Sequence, residues 1–498
     1  MARTLEISIE DFNGGISDDA RKSTPSEFQI TKHFDIFSNP KRLTPYRSLE
    51  ADTETSVSTT DLKQYSVRDF LYPTGSAKLY GLGQTGAGLT KIVQKADATT
   101  GLWTTPNTSE GNGAVKNGCF VEYKDYAWGF QGTTQIFRWG LLSGTPAIAN
   151  SQSSTGVTIT SVAQGLAFQD FLYLPYNNKI WRATDVSTYS DAFLTLPTQY
   201  KITSLTSFGT FMAIACAPIS TFAGNSKVFL WNGTSPDIQE TIDWGEGELR
   251  VLENIEGMLV GITDRYLNNS IGAGRGSMII QTYAGGTPQV VKEIFTQALT
   301  GKSIPITKFV KNNRLFFSAK IMTNSAATTY NEGIWSFGRK NQLYPFTLTL
   351  DVIDENVNTS GIQAIGSAGN FLFVAHSADG SVDKTNDSSV YTFTSIYESQ
   401  IYNFGEVDSD KTLQSLKVSF RALTAGESVT AKFRVDGATA WTTIGTASTV
   451  GTLSRTFLSI ESSDVAFASG REYEIQITST GGAEITGFKL KAVVNTNP

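Results

Sequence analysis

The sequence predicts an all-β protein: a β-propeller of about seven blades over 61–396, a jelly-roll-like β-sandwich over 397–498, and an extended N-terminal arm over 1–60. Three observations carry the prediction. Charged residues make up only 17% of the chain against 40% hydrophobic and 11% aromatic, so the surface is polar through Ser, Thr, Asn and Gly. That composition suits strands joined by tight turns. A degenerate strand and turn unit recurs through the middle at intervals of roughly 40 to 57 residues, the size class of a four-stranded propeller blade. Toward the C-terminus the apolar residues change to strict alternation, the mark of strands with one face in a core. With 498 residues the chain exceeds what one core ordinarily serves, unless a closed repeat architecture absorbs most of it.

The first 60 residues carry no repeat, and Pro25, Pro40 and Pro45 interrupt any long element there. Such an arm donates a strand to the ring or to a neighbouring subunit, or packs across its own propeller, and both outcomes stay open. The repeat follows, with a weak first copy over Val67–Val93. Its clearest copies are Phe120-Val-Glu-Tyr-Lys-Asp-Tyr-Ala-Trp128 with Gln135–Trp139, and Gly165–Tyr173 with Lys179–Trp181. Four more pair Leu205–Ala213 with Lys227–Trp231, Leu252–Val260 with Ser277–Tyr283, Lys308–Phe317 with Gly333–Trp335, and Ala364–Phe373 with Ser389–Phe393. Asp125, Asp170, Gly209, Gly257, Asn313 and Gly369 sit where hairpin turns need positive φ. Trp128, Trp139, Trp181, Trp231 and Trp335 are read as filler between blades in preference to ligand-stacking platforms.

The last hundred or so residues read Leu413–Arg421, Ser428–Val435, Trp441–Gly445, Arg471–Thr478 and Ile485–Val493, with turn signals at Asp436-Gly437 and Gly481-Gly482. Short alternating strands spaced by such turns argue for a sandwich. The domain boundary is expected within 394–411.

Two local motifs connect this layout to a family. The first is Phe12-Asn-Gly-Gly-Ile16, followed by Phe34-Asp-Ile-Phe37 and Leu43-Thr-Pro45; the second is Ser399-Gln-Ile-Tyr-Asn-Phe-Gly405, followed by Lys411-Thr-Leu413. The chain resembles propeller-bearing structural proteins of tailed bacteriophages. The resemblance implies a virion component of the tail, tail tip, nozzle, hub or ring adaptor, assembled in the host cytoplasm. It also implies several copies around the particle axis, with other tail proteins as partners.

Composition and motifs exclude much else. A net charge of −6 with a pI near 5.3 gives no basic footprint, so direct nucleic-acid binding is not expected. Met1–Asp11 lacks the apolar stretch of a signal peptide, and no run reaches the roughly 18 apolar residues of a membrane span. Cys119 and Cys216 lie in apolar strand-like runs and read as buried free thiols. His33 and His376 are the only histidines, too few for a shared zinc site.

Asp243-Trp-Gly-Glu246-Gly-Glu248 could furnish a glycosidase pair, but an acidic turn explains it more simply. Gly81-Leu-Gly83-Gln-Thr-Gly86 matches a dinucleotide fingerprint as a string, yet strand follows it and no helix. Asp379-Gly-Ser-Val-Asp383-Lys-Thr-Asn-Asp387 lacks calcium-loop spacing and reads as a rim loop. The expectation is therefore a non-enzymatic protein with no catalytic, cofactor or metal residues. The alternatives are a carbohydrate-binding receptor protein using Trp441 and Tyr473, with Trp441 expected in an alternating, core-facing strand, and a glycan hydrolase using Asp243 and Glu246.

Overall fold

The structure is a computed structural model. It describes residues 3–17, 21, 24, 26–52, 66–74, 76–84, 90–95, 103–104, 120–131, 134–143, 147–154, 157–219, 224–267, 275–296, 307–321, 331–353, 362–376, 382–385, 391, 393–458 and 468–495. The regular elements among them are all β-strands, with no helix.

Seven four-stranded antiparallel sheets follow one another along the chain in a propeller-like series. The first holds Ser66–Leu71, Leu79–Gln84, Thr90–Lys95 and Trp103–Thr104, and the second Val121–Tyr123, Tyr126–Gln131, Gln135–Gly140 and Ala147–Ser154. The third holds Leu166–Phe168, Phe171–Tyr176, Lys179–Ala183 and Tyr189–Thr195, and the fourth Tyr200–Phe208, Phe211–Pro218, Asn225–Trp231 and Glu240–Glu246. The fifth holds Glu248–Ile255, Met258–Leu267, Arg275–Tyr283 and Gln289–Thr296, and the sixth Lys308–Lys311, Arg314–Ile321, Asn331–Gly338 and Thr347–Ile353. The seventh contains Ile362–Ala368, Phe371–His376 and Val382–Thr385, and its fourth place is taken by Leu49–Ala51 from the N-terminal region.

Local chemistry explains each hairpin. From the second sheet to the seventh, the first two strands are joined by two residues, and the turn residues identified in the sequence all take positive φ. The angles are 64° at Asp125 and Asp170, 60° at Gly209, 81° at Gly257, 59° at Asn313 and 54° at Gly369. Such turns twist in the sense of the strands they join, so each fixes the register of its hairpin locally.

Between sheets the space is filled by aromatics. Trp128, Trp139, Trp181, Trp231 and Trp335 are all fully buried, as expected, and so are Trp103 and Trp244. Tyr80 meets Trp139 at 5.0 Å across the first and second sheets, Trp128 meets Trp181 at 5.7 Å across the second and third, and Tyr173 meets Trp231 at 5.5 Å across the third and fourth.

The series also joins its ends. Val67 and Phe70 of the first sheet share a core cluster with Ala364, Phe371 and Phe373 of the seventh. Asp52, just past the strand Leu49–Ala51, donates its backbone N–H to Val382 O and holds Lys95 of the first sheet at 2.9 and 2.7 Å. Trp103 Nε1 donates to the same carboxylate at 2.7 Å, and both charged side chains are completely buried.

Two larger sheets complete the molecule. One orders Thr4–Ile9, Ile485–Val494, Lys411–Phe420 and Ser454–Leu458, with Ser469–Gly470 also beside Lys411–Phe420. The other orders Gly15–Ile16, Glu27–Lys32, Ser395–Ser399, Tyr473–Thr480, Ser428–Val435 and Thr442–Ala447. The described residues of 1–60, read from the sequence as an arm, thus give strands to both larger sheets and the seventh small one, and Phe34–Asp35 pairs with Thr44–Pro45 in a two-stranded sheet of its own.

Leu416, Val418, Phe433, Ile475, Ile477, Phe488 and Leu490 pack in one core that continues into Val251, Leu315, Trp335 and Leu348 of the fifth and sixth sheets. The strict alternation expected over Leu413–Arg421 is broken. A register shift between Leu413 and Ser415 inserts an extra residue, so burial passes from Leu413 to Leu416, Val418 and Phe420.

Candidate interaction site

The chemistry-bearing residues singled out in the sequence are dispersed, and the described ones are mostly engaged in structural pairs. Asp243 accepts from Lys227 Nζ at 2.6 Å, Asn225 Nδ2 at 2.9 Å and Gly245 N at 3.0 Å. Burial opposes ionisation there, but these donors prevail and hold the carboxyl below its usual range. Glu248 is buried between Lys201 at 2.5 Å and Arg250 at 2.8 Å, which ties the fourth sheet to the fifth. Glu246 is exposed at the end of the strand Glu240–Glu246, opposite Asn225. A glycosidase acid needs a carboxyl pushed upward, and Asp243 is pushed the other way.

Gly81 and Gly83 lie inside a strand, opposite Val93 and Lys91. A Cβ on Gly81 would sit 2.9 Å from Val93 Cγ2, so this glycine permits close strand packing; Gly86 lies outside the described residues. His33 is buried and stacks on Phe393 at 4.8 Å, while its carbonyl accepts from Tyr46 N and Ser395 Oγ. His376 Nε2 lies 3.2 Å from Asp383 Oδ2 between adjacent strands of the seventh sheet. Among the described residues no cluster of His, Cys, Asp and Glu has the makings of a metal site. Asp379, Asp387 and Cys119 fall outside the described residues. Cys216 is buried, and burial pushes its thiol well above the ordinary range, which suits packing and not nucleophilic attack.

The two aromatics considered for glycan contact part company. Tyr473 is buried and its hydroxyl donates to the carbonyls of Lys411 and Ala468. Trp441, expected in a core-facing strand, instead precedes Thr442–Ala447 and is half-buried, with the Arg434 guanidinium 4.4 Å from its ring.

Sequence reasoning missed the site that the larger sheets create. A groove of about 330 Å³ opens between Leu5–Ile7 and the segment Gln400–Gly405, with Arg21 and Thr24 at its side. The second resemblance motif forms one wall of it. Tyr402 exchanges backbone hydrogen bonds with Tyr473 at 2.8 and 3.0 Å, which pins the segment. Asn403 then starts a tight turn through Phe404 and Gly405, at φ 56° and 76°, and its side chain accepts from Gly405 N at 2.9 Å.

Gln400 lines this groove at 2% exposure, and neither its amide nitrogen nor its oxygen has a hydrogen-bond partner. The charges nearby are spent on one another. Arg21 grips Glu472 through two bonds of 3.1 and 3.0 Å, and Glu6 pairs with Lys489 and Lys491.

No family model matches the sequence, and no curated protein matches it. Solved structures similar to the chain include BamB from Moraxella catarrhalis, at 13% identity and a TM-score of 0.38 over 64% of this chain and 82% of that one. Virginiamycin B lyase from Staphylococcus aureus aligns at 12% identity and a TM-score of 0.41, over 68% of this chain and 97% of that one. The Pan2 WD40 domain of Neurospora crassa aligns at 7% identity and a TM-score of 0.40, over 69% and 95%.

Proposed function

We propose that the chain is a non-enzymatic structural component of a tailed-phage virion, associated with the tail, its adaptor, hub or nozzle, and acting through protein–protein interfaces in several copies around the particle axis. In this reading the seven small sheets are the blades of one closed β-propeller, clasped by Leu49–Asp52, and the two larger sheets form its C-terminal β-sandwich. The observation that carries it is that Phe12 and Tyr402, from the two motifs on which the phage resemblance rests, belong to one core cluster. Phe12 packs edge-on against Tyr397 at 5.5 Å, two residues before the second motif, and Tyr397 meets Phe488 at 5.7 Å. Leu43 of the first motif set bridges to Ile485. Both motifs therefore serve one junction between ring and sandwich, a reason for them to occur together.

The isolated protein is expected to be a soluble monomer or small oligomer that enters a ring only beside its partners. Native mass spectrometry checks this, and a complete ring formed by the protein alone would contradict the partner part. Fitting the chain into a cryo-EM map of an intact particle tests the whole reading. Carbohydrate recognition is favoured only by the half-exposed Trp441. Saturable glycan binding that Trp441→Ala abolishes in a folded protein would replace the assembly reading.

A further inference from the structure

The groove beside Leu5–Ile7 has recognition chemistry that the virion reading does not use. Among the described residues the strand Thr4–Ile9 pairs on one side only, with Phe488–Val493. Val494 N donates to Arg3 O, which fixes the phase of this antiparallel ladder. Residues 3, 5, 7 and 9 exchange bonds with the neighbouring strand, while Thr4, Glu6 and Ser8 turn their N–H and C=O groups away from it. Gln400 lines the same groove, and its buried carboxamide has donor and acceptor both unmet. A buried polar group without a partner is costly, and a ligand that met both of its groups would relieve that cost.

From this pairing of an open strand edge with an unsatisfied carboxamide, we infer that the groove binds an extended, uncharged polypeptide segment of a partner protein. The segment adds to Thr4–Ile9 as a further strand, and one of its peptide groups meets the Gln400 side chain. A carboxamide offers one acceptor and a donor side by side, the complement of a peptide unit. Strand addition supplies affinity through main-chain bonds, and the walls supply selectivity. Here the walls are Ile7, Tyr402 and Phe404, and the flanking charges are already neutralised, so apolar or small neutral side chains are selected. A sugar would ask for several polar side chains directed at its hydroxyls, and the groove is walled chiefly by Leu5, Ile7, Ile401, Tyr402 and Phe404. The inference stands on the groove alone and is independent of where the protein resides.

The test is hydrogen-exchange mass spectrometry and calorimetry on the full chain with acetyl-Thr-Val-Thr-Val-Thr-Val-amide. Binding is expected at up to millimolar peptide, with exchange slowed about tenfold in the peptic fragment holding Thr4–Ile9. Gln400→Leu is expected to weaken binding about tenfold or more while raising the thermal midpoint, because an apolar side chain of similar size removes the unmet groups. A purely structural glutamine would not give that opposition of effects. Should Gln400→Leu misfold, Glu6→Pro decides, since it deletes an N–H that the ladder does not use, and edge strands tolerate proline there. The idea is overturned by no binding, by unchanged affinity in the folded variant, or by protection confined to other segments. It is equally overturned if cellohexaose replaces the peptide with the same Gln400 dependence, or if the segment becomes protected by concentration alone through pairing of two copies.

Discussion

The seven small sheets and the two larger ones are almost wholly antiparallel β-structure, yet their long-range ties differ. Among the small sheets, neighbours in sequence are neighbours in space, and the first and seventh are joined by apolar packing, by the strand Leu49–Ala51 and by a fully buried ion pair, Lys95 with Asp52, completed by Trp103. In the larger sheets the strands come from both ends of the chain. Their ties include half-exposed ion pairs between residues far apart, such as Arg3 with Glu406 at 403 positions and Arg21 with Glu472 at 451. One unit thus has a fully buried ion pair among its long-range ties, and the other combines an apolar core with ion pairs at a screened rim.

Three substitutions would break or sharpen that contrast. Asp52→Ala has the largest expected effect. It strands the Lys95 ammonium in the interior, where loss of one partner of a buried pair costs about 3–5 kcal/mol, and urea unfolding would show the loss as a lowered midpoint. If the clasp carries closure, hydrogen exchange rises first in the first and seventh sheets.

Asp69 comes next and depends on pH. Burial pushes its carboxyl up to about 7, against the backbone N–H groups of Phe120 and Phe70 that it accepts from. The folded value therefore lies above the unfolded one, near about 4. Its contribution to stability is full below that lower value and is lost as pH rises through the folded one. In Asp69→Asn, urea midpoints measured between those two pH values should change less than in the parent protein; equal pH dependence in both would refute the assignment. Arg21→Ala should do least. With its side chain 66% exposed, the pair with Glu472 contributes about 1 kcal/mol or less, and added salt should erase the difference from the parent.

The same contrast explains what the sequence disclosed. Hairpin turns at Asp125 or Asn313 are written in adjacent residues, so turn chemistry and strand alternation suffice to find them. Tryptophan positions followed from the repeat. By contrast, Leu49–Ala51 is a three-residue strand with no periodicity of its own, and only its distant partners Asp383–Thr385 make it the end of the seventh sheet.

The extra residue between Leu413 and Ser415 shifts the phase of a strand that reads as unbroken alternation, because a bulge depends on the partner strand. Trp441 misled for the opposite reason, since an aromatic beside an alternating run reads as core until Arg434 is seen over its ring. The groove was out of reach altogether, as its walls lie at opposite ends of the chain. The one sequence signal for it was a polar Gln400 set among residues of a motif already noticed.

That the final place in the seventh sheet belongs to Leu49–Ala51 has a consequence for biosynthesis. The closing strand is made long before its partner Val382–Thr385, which follows hundreds of codons later. Thr4–Ile9 waits longer still, for Phe488–Val493. The nascent chain therefore carries Leu49–Ala51 unpaired until the rest of the seventh sheet has been made, and Thr4–Ile9 until Phe488–Val493 has followed, so the seventh small sheet can close while most strands of the two larger sheets are still to come.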